Sequence, residues 1–117
     1  MFSKKERTLE ELESLVAKGK DKYKTELAIC LLQEHGVARD EERAVTYLEH
    51  RAYEGDSEAM WVLGLCYEYG MGTRKNRDEA SELYERSAKK RNKAGKFLDS
   101  LWRGDTSLSL SEDGLFF

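Results

Sequence analysis

Few residues of this chain could do chemistry near neutral pH. They are His35, His50, Cys30, Cys66 and a glycine pair, Gly70-Met71-Gly72, followed by Thr73-Arg74-Lys75. An imidazole can move protons or bind a metal, and a thiol activated by its surroundings can act as a nucleophile. Neither histidine lies at ligand or triad spacing with the cysteines: His35 sits at a predicted corner and His50 on a charged helix face. Cys30 and Cys66 fall on apolar helix faces, where a thiol packs as a small hydrophobe, and two cysteines make no disulfide framework. A phosphate cradle needs a strand before its glycines and a helix after them. Here Ala59, Val62, Leu63, Cys66 and Tyr67 recur at helical spacing just ahead, so Gly70 closes a helix and the glycines turn a corner. No catalytic residue, cofactor-binding residue, cofactor or metal ligand is expected, and the chain is read as a non-enzyme.

The elements that would position these residues repeat. Shifted by 36, Leu27-Ala28-Ile29-Cys30 falls on Leu63-Gly64-Leu65-Cys66, Gly36 on Gly72, Ala44 on Ala80 and Ala52 on Ala88. A third copy follows at 35: Ala59, Val62, Leu63, Cys66 and Tyr67 find Ala94, Phe97, Leu98, Leu101 and Trp102. Each unit reads as two helices. Thr8-Leu9-Glu10-Glu11 is a capping box opening a first helix that ends near Gly19. A second is predicted from Asp21 to Glu34, stopping at His35-Gly36. A third runs from Asp40 to Gly55 and a fourth from Asp56 to Tyr69. Asn76 caps a fifth that reaches Lys90, and a sixth covers Asn92 to Arg103. Helices this short are marginal alone and must be held by stacking, which predicts an all-α solenoid of about two and a half helical hairpins, right-handed.

Composition agrees. With 117 residues, 39% apolar and 37% charged, the chain has room for one highly solvated domain with a modest core. It has no proline to interrupt helices. The formal charge of −3 resides in Asp105, Glu112 and Asp113, leaving a neutral body with no global pull toward nucleic acid or membrane. No apolar run reaches the length of a membrane span, and Met1-Phe2-Ser3-Lys4-Lys5 leads into charge, so an intracellular, cytoplasmic location is expected. Arg74, Lys75 and Arg77, and the cluster Lys89-Lys90-Arg91-Lys93-Lys96, lie among Glu79, Glu82 and Glu85; they read as solvated helix faces rather than a nucleic-acid surface.

Gly55-Asp56-Ser57-Glu58-Ala59, Leu63-Gly64, Tyr67, Gly70-Met71-Gly72, Asp78-Glu79-Ala80, Leu83-Tyr84 and Ser87-Ala88 together resemble a Sel-one-like repeat, a relative of the tetratricopeptide repeats. The resemblance covers about residues 8 to 103. It implies an α-solenoid serving as an adaptor or scaffold that binds other proteins without chemistry of its own. Arg91 stands where the family places the glycine between repeats, and Asp99 where it places a small residue at a close helix contact. Both departures suit a terminal cap.

The sharpest functional signal is a further apolar stripe on the fourth helix: Trp61, Leu65 and Tyr69 at i, i+4, i+8, with Ile29 and Lys96 at equivalent or flanking places in the neighbouring copies. The first helix of each pair lines the concave face in related solenoids, so these five residues form the candidate protein-binding face. Packing of the stripe inside a buried central helix is the competing reading. Residues 1–7 are read as a lead-in, 8–103 as the solenoid and 104–117 as an extended or disordered tail that can mediate self-association through Leu115-Phe116-Phe117. The expected partner is a protein or peptide, with no nucleic acid and no membrane. The alternative is a structural or regulatory domain cut from a larger protein whose activity lies elsewhere.

Overall fold

A computed structural model describes residues 7–33 and 38–104. Six helices follow one another: α1 (Leu9–Ala17), α2 (Lys24–Gln33), α3 (Ala38–Tyr53), α4 (Ser57–Tyr69), α5 (Arg77–Lys89) and α6 (Lys93–Trp102), with a 3-10 turn at Asp21–Tyr23 before α2. No strand occurs among the described residues. Each start has a local cause. Thr8 Oγ1 accepts the Glu11 N–H at 3.1 Å while Glu11 Oε1 accepts the Thr8 N–H at 2.9 Å, the reciprocal box expected. Asp56, Asn76 and Asn92 cap α4, α5 and α6 through their side-chain oxygens.

Two helix starts differ from expectation. The second helix begins at Lys24 rather than Asp21, because Lys20 offers no side-chain cap and the chain first makes a tight 3-10 turn there. The third begins at Ala38, before Asp40, so that Asp40 and Glu41 lie inside its first turn, where carboxylates suit the positive end of the helix. The expected stop at His35-Gly36 lies outside the described residues.

Consecutive helices pack antiparallel, and α4 also meets α2 and α6, whereas α3 and α5 come no comparably near. Helices α2, α4 and α6 therefore form the inner layer and α3 and α5 the outer one. The core runs through both: Leu27, Leu48 and Cys66 are fully buried, as are Ala28, Ala44, Ala59 and Ala80, whose small side chains admit close helix approach. Gly64 goes further, since a Cβ there would lie 2.5 Å from the Tyr84 ring.

The hairpin corners repeat as well. Gly19 and Gly55 adopt φ of +87° and +102°, and Arg91 takes φ +66° at the same place in the next unit. An L side chain in that region is strained by about 1 kcal/mol, and Arg91 is exposed. Arg91→Gly is expected to raise stability by about 1 kcal/mol, less the added chain entropy of glycine, measured by urea unfolding.

The cysteines are less alike than their repeat positions imply. Cys66 is fully buried, and burial, with a smaller contribution from Glu41, pushes its thiol up to about 12. Cys30 is only partly buried. A thiolate-selective alkylating reagent at pH 8 is expected to label Cys30 in the native state and Cys66 only on unfolding, which mass spectrometry resolves; equal native rates would contradict this packing. No helix among the described residues is long and apolar enough to cross a membrane.

Candidate protein-binding face

The glycine corner is built as a turn. Gly70, at φ +72°, closes α4, and its N–H and that of Met71 donate to the Cys66 carbonyl. A Cβ on Gly72 would strike the Glu41 carbonyl oxygen, so this glycine is required by close backbone approach as well as by its φ of +74°. The start of the following helix does not favour an anion: the Asn76 side chain occupies the Glu79 amide, and Asp78 and Glu79 stand in its first turn.

His50 is exposed, and His35 lies outside the described residues. Asp21, His50 and Glu54 each place one potential ligand atom within 4.8 Å of the others. The Lys24 ammonium already sits there, 3.2 Å from His50 Nδ1 and 3.3 Å from Asp21 Oδ1, so a cationic side chain takes the place a metal would need.

The five residues of the predicted face fall in different surroundings. Ile29 and Trp61 are partly buried and pack against the core, Leu65 is partly buried, Tyr69 is 62% exposed and Lys96 is exposed. Along one helix the stripe is therefore core-facing at Trp61 and solvent-facing at Tyr69. At the stripe's head stands Glu58, whose carboxyl is held above its ordinary value of 4.5 by burial first and then by Asp56 and Glu26. A raised carboxyl favours the folded state at low pH and loses that contribution as pH rises through the shifted value. Glu58→Gln is thus expected to raise the melting temperature slightly at pH 7, with the gain fading as pH falls through the raised value and gone below pH 4.5.

Leu65 and Tyr69 reach a cleft of about 260 Å³ where α4, α5 and α6 meet. Ile29, Trp61 and Lys96 do not line it. Its other walls are Glu68, Arg77, Tyr84, Leu98, Leu101 and Trp102, none of which was singled out for binding from the sequence. The walls are organised by contacts among themselves. Tyr84 and Trp102 meet edge to face with centroids 5.6 Å apart, Arg77 lies 4.5 Å over the Trp102 ring, and the Tyr84 hydroxyl donates to Glu68 Oε1 at 2.6 Å. Burial, with that bond to Glu68, pushes the Tyr84 phenol well above its ordinary range, so it stays a donor. The comparison of copies places Leu101 with Cys66, yet Leu101 is 58% exposed where Cys66 is fully buried, a difference that residue type does not signal.

Comparison with known proteins locates this architecture. The profile of the Sel1 repeat matches residues 24–55 and 57–92. The crystal structure of a Sel1 repeat protein from Oxalobacter formigenes is similar, with a TM-score of 0.66 and 29% identity, over 79% of this chain and 37% of that one. The DAP3-binding cell death enhancer 1 of Mus musculus is 47% identical over 49 residues, 42% of this chain and 10% of that protein. Its counterpart from Rattus norvegicus is 45% identical over a stretch of the same length. The chain spans about a tenth of the length of these curated relatives.

Proposed function

The chain belongs to the Sel1 repeat family, and from that premise we propose that it is a non-catalytic module holding a protein or peptide on its inner face. Repeats of this family are protein-interaction repeats and generally not enzymes. The observation that carries the reading is a coincidence of exposure and shape. Tyr53, Tyr69 and Leu101 are the exposed large apolar side chains among the described residues, and two of the three border the same cleft. An apolar side chain of the partner fits that cleft, with Leu65 and Tyr69 on one side and Leu98 and Trp102 on the other. At the head of the stripe Glu26 and Asp56 are paired with Arg7 and Arg51, which leaves Glu58 as the carboxylate there that suits a basic residue of the partner. Ile29, Trp61 and Lys96 extend the same layer.

The short share of its relatives that the chain spans favours a second reading, a domain whose larger protein carries further activity. Both readings use the inner face in the same way. The relatives' name makes DAP3 the first partner to try. A photo-crosslinking residue in place of Tyr69 is expected to capture it, while the same residue in place of Tyr53, 89% exposed on α3, is not. Capture through position 53 alone would overturn the assignment of the face.

A further inference from the structure

Two neighbouring corners of the stack differ sharply in charge. The turn from α5 into α6 lies beside the turn from α3 into α4, and Asn92 Nδ2 donates across to Ser57 Oγ at 3.1 Å. From Arg86 to Leu98 the chain carries six cations, Arg86, Lys89, Lys90, Arg91, Lys93 and Lys96, and no carboxylate. The matching stretch one repeat earlier, 50–62, carries Glu54, Asp56 and Glu58 against Arg51 alone. All six cations are exposed. Lys89 pairs with Glu85 at 3.5 Å, and Arg86 donates to the Ala52 carbonyl at the same distance. Lys90, Arg91, Lys93 and Lys96 meet no carboxylate within ion-pair distance among the described residues. The carboxylates that flank the stretch are engaged elsewhere, since Glu85 and Asp99 both hold Arg103.

We propose that this corner, from Arg86 to Lys96, is a docking surface for a carboxylate-rich segment of a protein partner, whose side chains neutralise the unpaired cations. Local stability explains Lys89, which sits at the negative end of α5. It does not explain Arg91, Lys93 and Lys96. Arg91 takes the left-handed φ that Gly19 and Gly55 take at the corresponding corners. Lys93 and Lys96 fall in the first turn of α6, against the positive end of the helix, whereas each of the other five helices has a carboxylate there. A cation held at a cost to the fold is accounted for by the charge it meets. A short acidic segment fits better than a nucleic-acid duplex or a membrane. Those present extended negative surfaces, which the adjoining Glu54, Asp56 and Glu58 would oppose. Tyr53, Tyr69 and Leu101, the exposed large apolar side chains, all lie outside the stretch, so it offers no such ring for base stacking and no wedge for lipid. The corner is at the opposite end of α6 from the cleft and none of its cations lines that cleft, so neither surface depends on the other.

The test titrates the full chain into a fluorescein-labelled oligoglutamate peptide at low salt and follows fluorescence anisotropy. Binding is expected, and added salt is expected to screen it. Lys93→Gln with Lys96→Gln should weaken it several-fold. Lys18→Gln with Lys20→Gln removes as much charge from exposed, unpaired lysines at the first corner and should leave it in place. Arg91→Gly should weaken the peptide while raising the unfolding midpoint, which separates loss of the site from loss of the fold. Tyr69→Ala should leave the peptide's affinity unchanged. Absence of binding at low salt overturns the proposal. Equal weakening by the two double variants also overturns it, because a general field then suffices, and so does weakening by Tyr69→Ala, which puts the peptide in the cleft. Tighter binding of an oligothymidylate or of phosphatidylserine vesicles than of the peptide overturns it in favour of nucleic acid or a lipid surface.

Discussion

Replacing Gly64 by alanine is expected to destabilise the protein by about 2 kcal/mol, although alanine is the better helix former by about 1 kcal/mol. The new Cβ would lie 2.5 Å from Tyr84 Cε1 and 2.8 Å from Cδ1, inside any allowed contact. The ring cannot step aside. Tyr84 is fully buried, its hydroxyl is tied to Glu68, and the Trp102 ring packs against it. Relief must come from separating α4 and α5, which also widens the cleft they share with α6. Thermal unfolding measures the loss, expected as a drop of roughly 8 °C for a domain of this size. Combining Gly64→Ala with Tyr84→Leu should cost clearly less than the sum of the two single changes, because the smaller side chain vacates the contested space. Strict additivity would show that the glycine is there for some reason other than the ring.

That contact illustrates how the sequence could be read. Gly64 stands in the middle of α4, where glycine weakens a helix, and it aligns with Ala28 in the preceding copy. A small residue recurring at a fixed offset announces a close helix approach, and the helical periodicity around it announces the elements. The two-layer stack follows from those signals together with the short corners between helices. Other features depend on three-dimensional balance that one chain's pattern does not carry. The single 3-10 turn before α2 is set by an uncapped Lys20, a weak local preference with no periodic signature. Cys30 and Cys66 share a repeat position but not an environment, since Cys66 has a repeat on each side and Cys30 lies nearer the end of the stack. The cleft escaped notice for a related reason. Leu98, Leu101 and Trp102 read as core because their counterparts are core, and exposure arises only where the stack runs out of described neighbours. Position in the array, rather than residue type, turned packing residues into surface.

The stripe on α4 separates stability from binding along one helix. Trp61 packs against the core, so Trp61→Ala is expected to cost about 2 kcal/mol, somewhat less than truncation of a fully buried tryptophan. Tyr69, two turns on, is 62% exposed, and Tyr69→Ala should change stability by no more than about 0.5 kcal/mol. If the inner face holds a partner as proposed, an aromatic anchor at its centre is worth about 2 kcal/mol, so Tyr69→Ala should weaken DAP3 or another captured partner roughly thirtyfold. Urea unfolding and calorimetric titration on the same two variants give the full comparison. Trp61→Ala is expected to lower the unfolding midpoint and, where the chain remains folded, to weaken the partner less than Tyr69→Ala does. Tyr69→Ala is expected to leave the midpoint in place while the affinity falls. An affinity untouched by Tyr69→Ala would remove the cleft from the binding face, because no large apolar side chain on α4 is more open to a partner than this ring.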